Sequence, residues 1–85
     1  MKRIQVENRI GNVPNIQEIM PQEVATGAKM QADGFLEHVY LKSDNSGAIL
    51  VFKNADLAKV KELVSTFPLF KYWTDINYTK MDMQY

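Results

Sequence analysis

The side chains best suited to acid–base chemistry in this sequence are His38 and Tyr40, which stand two positions apart. His38 is the only histidine, and imidazole is the side-chain type that exchanges protons near neutral pH. Alternate residues of a β-strand point to one face, so Tyr40 could donate a hydrogen bond beside His38. In such a pair, His38 could act as a general base and Tyr40 as a hydrogen-bond donor beside it. The alternative is that His38 is a partly buried strand residue, paired with a backbone or carboxylate group.

Two carboxylates, Glu37 and Asp75, are the alternative acid–base groups. Glu37 precedes His38 directly, so the two side chains point to opposite faces of a regular strand. Both could face one cavity only if a β-bulge intervened. The competing interpretation of either carboxylate is a solvated group or one half of a salt bridge.

No metal or cofactor site is expected from the sequence. The chain has no cysteine, and its one histidine and scattered carboxylates have no metal-ligand spacing. Neither a phosphate-binding glycine-rich loop nor a dinucleotide fingerprint is present.

An aromatic segment near the C-terminal end is the clearest sign of a pocket. Residues 67–72 read Phe-Pro-Leu-Phe-Lys-Tyr, and such apolar groups at a helix exit are costly to leave in water. We expect this run to hold the helix end against a sheet and to form one wall of a cavity. A cluster of four aromatic residues could line a pocket for a flat hydrophobic ligand, or could simply pack in the core: Phe70, Tyr72, Trp73 and Tyr78.

Composition favours one small soluble domain over residues 1–85. Ten basic residues balance ten acidic residues without a block of one sign, which argues against nucleic-acid binding. No run approaches the length of a membrane span, and the first residues lack the apolar core of a signal peptide. The absence of cysteine fits a reducing cytoplasm, so a cytoplasmic location is expected.

Hydrophobic periodicity predicts four strands and two helices. The first helix should begin near Pro21, because proline is tolerated at the first helical position. Asn54 is the expected N-cap of the second helix, and Pro68 should end it. The predicted elements are strand one at 2–9, a possible turn at 16–20, helix one at 21–33, strand two at 35–43, strand three at 48–52, helix two up to 67, strand four at 73–79 and a tail at 81–85.

The order β-α-β-β-α-β predicts a ferredoxin-like α+β fold, with a four-stranded antiparallel sheet and two helices on one face. Strict alternation would place Leu36, His38 and Tyr40 together on one side of strand two. Strand three is apolar on both faces, so the uncovered sheet face should be an interface. We therefore expect a homodimer, or a higher oligomer, in which two sheets pack into a dimeric α+β barrel.

The C-terminal half resembles muconolactone isomerase and its relatives in the dimeric α+β barrel group. The resemblance covers 34–76 and rests on Gly34, a His-containing strand at 37–42, the helix exit at 67–72 and the pair Asp75-Ile76. It implies cofactor-free proton transfer on a small unsaturated lactone or an aromatic-derived acid. The catalytic residues would then be His38, Tyr40 and Asp75, and the substrate-binding residues Leu36, Phe52, Phe70, Tyr72 and Trp73.

Three functions stay open at this point, because fold alone does not choose among them. An isomerase needs a polar group aimed into a cavity and a nearby cation for a carboxylate, such as Arg3, Arg9 or Lys42. A non-catalytic ligand-binding or interaction module predicts a cavity that is wholly apolar or filled by side chains. A cofactor-independent monooxygenase needs room for a polycyclic substrate.

Overall fold

The computed structural model describes residues 2–85 and contains the six predicted elements, plus a short 3₁₀ turn before the last strand. Neither helix in residues 2–85 is long and apolar enough to cross a membrane. The elements are β1 (Lys2–Ile10), α1 (Ile16–Ala32), β2 (Leu36–Leu41), β3 (Ala48–Phe52), α2 (Leu57–Val64), the turn Phe70–Tyr72 and β4 (Trp73–Asp82).

The four strands form one antiparallel sheet in the order β2-β3-β1-β4. Both helices pack on the same face, where their buried side chains join those of β1, β2 and β3 in one core. The predicted ferredoxin-like α+β fold is therefore confirmed. The other sheet face, which both helices leave uncovered, is called the open face below.

Helix α2 forms because its apolar residues recur at helical spacing and its first turn is capped. Val60 and Val64 are one turn apart, and both are fully buried. The cap is Asp56, whose carboxylate accepts the backbone N–H of Lys59 at 2.8 Å. The prediction of Asn54 as the cap was wrong, because Asn54 adopts a left-handed φ of 58° and its amide donates to the Gly34 carbonyl instead. The prediction that Pro68 ends the helix was wrong as well: α2 ends at Val64, and the hydroxyls of Ser65 and Thr66 donate to carbonyls of its last turn.

Helix α1 begins at Ile16, so the prediction that it starts near Pro21 was also wrong. Pro21 lies inside the helix, where it removes the backbone donor that would bond the Gln17 carbonyl. Both residues are exposed, so water can bond that carbonyl group and the helix continues. Strand β4 is also longer than predicted, because β1 pairs with it as far as Lys2 opposite Asp82.

A register shift in β2 decides which side chains face the helices. Leu36 pairs with Phe52, but the next paired residue, His38, is opposite Val51. Glu37 is therefore the extra residue of a β-bulge. The prediction that Leu36 shares a face with His38 was wrong, since Leu36 packs in the helix-side core. Tyr40 does share the open face with His38, and their ring centroids are 5.9 Å apart.

Candidate functional site

A cavity of about 710 Å³ separates α1 from the half of the sheet formed by β2 and β3. Strand residues such as Leu36 and Leu50 face it from one side, and α1 residues such as Met20 and Gly27 face it from the other. Phe67, Leu69 and Trp73 also line it, so two residues of the predicted 67–72 wall face this cavity. We call this space the α1 cavity.

The mouth of the α1 cavity carries exposed apolar side chains. Val24 of α1 and Leu41 of β2 both line the cavity, yet they are 63% and 74% exposed. Ile16 and Val39 are also lining residues that remain partly open to water. Since β2 is an edge strand, the cavity opens between that edge and α1. An apolar rim of this kind suits an apolar ligand.

Glu23 is the one ionisable side chain that lines the α1 cavity within residues 2–85. Its Oε1 accepts the backbone N–H of Leu69 at 3.0 Å, which connects α1 to the helix-exit segment. Burial raises the pKa of the Glu23 carboxyl, and the Leu69 hydrogen bond offsets part of that rise. Oε2 of Glu23 has no hydrogen-bond partner in residues 2–85. Every buried side-chain oxygen in those residues does have a hydrogen-bond partner, so Oε2 is not buried.

The other buried polar group beside the cavity, Asn8, serves the fold. Its Oδ1 accepts the backbone N–H of Ala48 at 2.9 Å, which joins β1 to the start of β3. Gly47 is required here, because a Cβ at that position would lie 2.0 Å from the Asn8 carbonyl oxygen. The remaining polar lining residues, Gln17, Gln31 and Asn45, are exposed.

The predicted catalytic pair His38 and Tyr40 lies on the open face, outside the α1 cavity. The bulge brings Glu37 to Arg3, with bonds of 2.8 and 2.9 Å from Nε and Nη2 to the two carboxylate oxygens. The Arg3 guanidinium lowers the pKa of the Glu37 carboxyl, and Glu37 raises the pKa of Arg3. Lys42 pairs with Glu7 at 2.7 Å. Two carboxylates of this face, Glu37 and Glu7, are therefore each paired with a cation.

Asp75 is separated both from the α1 cavity and from the pair His38 and Tyr40. It is exposed and has a left-handed φ of 51° at an irregularity in the pairing of β1 with β4. It does not line the α1 cavity. Asp75 lies on β4, at the opposite edge of the sheet from β2, so the structure does not bring it together with His38 and Tyr40.

Of the five predicted substrate-binding residues, Leu36 and Trp73 line the α1 cavity. Phe52 is 1% exposed and packs in the core instead. Phe70 stands behind Trp73, at 5.5 Å between ring centroids. Tyr72 lies outside the lining, with the Lys71 ammonium 5.3 Å from its ring centroid.

Sequence reasoning missed Glu23, although a signal for it exists. Met20, Glu23, Gly27 and Met30 recur three or four residues apart, so they share the sheet-facing side of α1. The apolar spacing instead predicted a stripe through Met20, Val24 and Ala28; all three line the cavity, although Val24 and Ala28 are exposed. A lone carboxylate inside an otherwise apolar helix stripe was the available indication.

No group of three His, Cys, Asp or Glu side chains in residues 2–85 is arranged to hold a metal ion.

Comparison with known proteins gives a structural match only. No protein-family model matches the chain, and no curated protein matches it in sequence. Among solved structures, the chain is similar to 5-chloro-2-hydroxyhydroquinone dehydrochlorinase from Burkholderia phenoliruptrix AC1100, in complex with 2,5-dihydroxybenzoquinone. The match has a TM-score of 0.62 and 11% identity, and it covers 93% of each chain. At this identity the likeness shows a common fold.

Proposed function

We propose that this chain binds a small, flat, largely apolar molecule in the α1 cavity and isomerises it by proton transfer without a cofactor. The observation that carries the proposal is Glu23, a half-buried carboxylate in an apolar cavity. This is the class of reaction that the resemblance to muconolactone isomerase implies. The proposed acid–base group is Glu23, whereas the sequence led us to expect His38.

One carboxylate is enough for such a reaction. Ionised Glu23 takes a proton from a carbon next to a carbonyl group, and the electron pair of that C–H bond becomes part of an enolate. The protonated carboxyl then returns the proton to another carbon of the conjugated system, so nothing is consumed. Burial raises the pKa of Glu23, which makes its carboxylate a stronger base than that of an exposed glutamate.

Stabilisation of the enolate oxygen needs a hydrogen-bond donor in the same cavity. Gln17 and Gln31 line the α1 cavity and carry amide N–H groups. The dehydrochlorinase of the same fold was solved with an oxygenated six-membered ring, which supports testing oxygenated ring compounds as ligands. We therefore propose unsaturated lactones and hydroxylated aromatic compounds as the candidate substrates.

The test is deuterium exchange and rearrangement of these compounds in D₂O, followed by NMR. Glu23→Gln should lower the rate by a factor on the order of 10²–10⁴, the usual contribution of a general base. The matched variant His38→Gln should leave the rate unchanged, because His38 lies outside the cavity. The reverse result would move proton transfer to His38 and Tyr40 on the open face. Asp75→Asn tests the third predicted position in the same way.

A ligand-binding module without catalysis is the second candidate, favoured by the predominantly apolar lining of the cavity. Saturable binding without exchange or rearrangement would support it. Oxygen uptake with a polycyclic substrate would instead indicate the third candidate, a cofactor-independent monooxygenase.

The partner we propose is a second copy of the chain, packed against the open face. Ile49 and Val51 lie there on the central strand β3, directly opposite Tyr40 and His38. Tyr40 is 56% exposed, as expected for a residue that a partner would cover. Sedimentation should show a dimer that Tyr40→Glu dissociates, whereas Tyr85→Glu, at the exposed C-terminal end, should not. A monomeric parent protein would contradict this proposal.

A further inference from the structure

We infer that the ligand of the α1 cavity is an uncharged molecule larger than a single six-membered ring that carries a hydroxyl group, and not a carboxylic acid. This inference rests on the proposed function, since it assumes that the cavity is the ligand site. It specifies the class of ligand that the cavity selects, and three observations support it.

The first observation is the charge of the cavity. Glu23 is the only charged side chain in the lining within residues 2–85, and its charge is negative. The cations that could have held a carboxylate do not line the cavity: Arg3 and Lys42 form ion pairs with Glu37 and Glu7, and Arg9 is exposed. An anionic ligand would lose its hydration without gaining a partner, and it would also be repelled by Glu23. A neutral ligand avoids both costs.

The second observation is the size of the cavity. Its volume of about 710 Å³ lies within the usual range for small-molecule sites. An apolar cavity of roughly 150 Å³ already accepts benzene. A single small ring would therefore leave most of the α1 cavity empty, so the volume favours a ligand larger than one ring. The apolar rim at Val24 and Leu41 continues this surface to the mouth.

The third observation is the accessible Oε2 of Glu23. Its neighbour Oε1 accepts the Leu69 N–H, so the orientation of the carboxylate is set by the backbone. Oε2 is then a hydrogen-bond acceptor that is not engaged by another group in residues 2–85. A ligand hydroxyl supplies the matching donor, and a hydrogen bond to an ionised acceptor is among the stronger kinds.

Binding of 2-naphthol and 2-naphthoate tests the inference, because these ligands have similar ring systems and differ in charge. Calorimetric titration measures the affinities, and the indole N–H signal of Trp73, the only tryptophan, reports occupancy of the cavity. We expect 2-naphthol to bind at least about tenfold more tightly than 2-naphthoate at neutral pH, equivalent to roughly 1.4 kcal/mol. Phenol should bind more weakly than 2-naphthol.

The variant Glu23→Gln sharpens the result, because it keeps the shape of the side chain and removes its charge. We expect 2-naphthoate to bind more tightly to Glu23→Gln than to the parent, so that the discrimination between the two ligands shrinks. Equal or tighter binding of 2-naphthoate by the parent protein would overturn this inference and leave the proposed function standing. Failure of all three ligands to shift the Trp73 signal would also overturn this inference, and the exchange assay in D₂O would then decide the proposed function separately.

Discussion

The two helices cover the same sheet but pack against it differently. Helix α2 presents β-branched Val60 and Val64 to the core, and both are fully buried. Helix α1 buries one residue in the core, Met30, and presents Glu23 and Gly27, one polar and one without a side chain, over the cavity. The stabilising apolar contacts are therefore concentrated under α2, and the space for a ligand lies under α1. This division lets a small domain keep a packed core beside a cavity.

The largest expected effect is on the packed half. Phe52 is 1% exposed and does not line the α1 cavity, so Phe52→Ala should lower the free energy of unfolding by about 3–5 kcal/mol. Val24→Ala is the matched change on the other half. Because Val24 is 63% exposed, that variant should stay within about 0.5 kcal/mol of the parent. Chemical denaturation measures both changes in the free energy of unfolding, provided that the parent and the variants have equal m-values.

A loss below about 1 kcal/mol for Phe52→Ala would show that the core can collapse around the deleted ring. A loss above about 2 kcal/mol for Val24→Ala would show that α1 depends on contacts that its exposure hides. Either result would remove the contrast between the two halves.

A smaller effect of opposite sign is expected at Gly27, in the middle of α1. Its φ is not positive, and a Cβ there would meet Leu36 Cδ2 at 3.7 Å and Phe67 Cε1 at 3.8 Å, which are ordinary contacts. Gly27→Ala should therefore raise the free energy of unfolding by roughly 0.5–1 kcal/mol, mainly through helix propensity. Thermal unfolding measures the gain. A destabilised variant would mean that α1 already lies too close to the sheet to accept a methyl group.

The fold could be predicted from the sequence because each element carried its own pattern. Strand β3 has the predicted bounds, since a short apolar run between turn residues allows little else. The stripe of α2, including Val60 and Val64, faces the core as its spacing indicated. These signals are local, and the β-α-β-β-α-β order follows from them directly.

The candidate site was less predictable because it depends on small departures from regular geometry. The bulge at Glu37 separates Leu36 from His38 and carries the two to opposite faces, although strict alternation would keep them together. Because Pro21 lies inside α1, the helix was predicted to begin too late. The side of α1 that Glu23 shares with Met20 and Gly27 was therefore not recognised. Pairing of Glu37 with Arg3, 34 residues earlier, became visible only in three dimensions.

The smallest expected effect is a pH dependence of stability that differs in sign between Glu23, in the α1 cavity, and Glu37, on the open face. Burial raises the pKa of Glu23, so the folded protein holds this proton more tightly than the unfolded chain does. The favourable contribution of Glu23 to stability is complete below the usual glutamate pKa and is lost as the pH rises through the raised pKa. The pKa of Glu37 is lowered, chiefly by the Arg3 hydrogen bond, so its contribution is present above the usual value and is lost as the pH falls. Relative to Glu23→Gln, the parent should therefore lose stability towards neutral pH, and relative to Glu37→Gln it should lose stability towards acid. Denaturation curves across the acidic range measure both differences, and two differences of the same sign would contradict the assignment of Glu23 to a desolvating cavity.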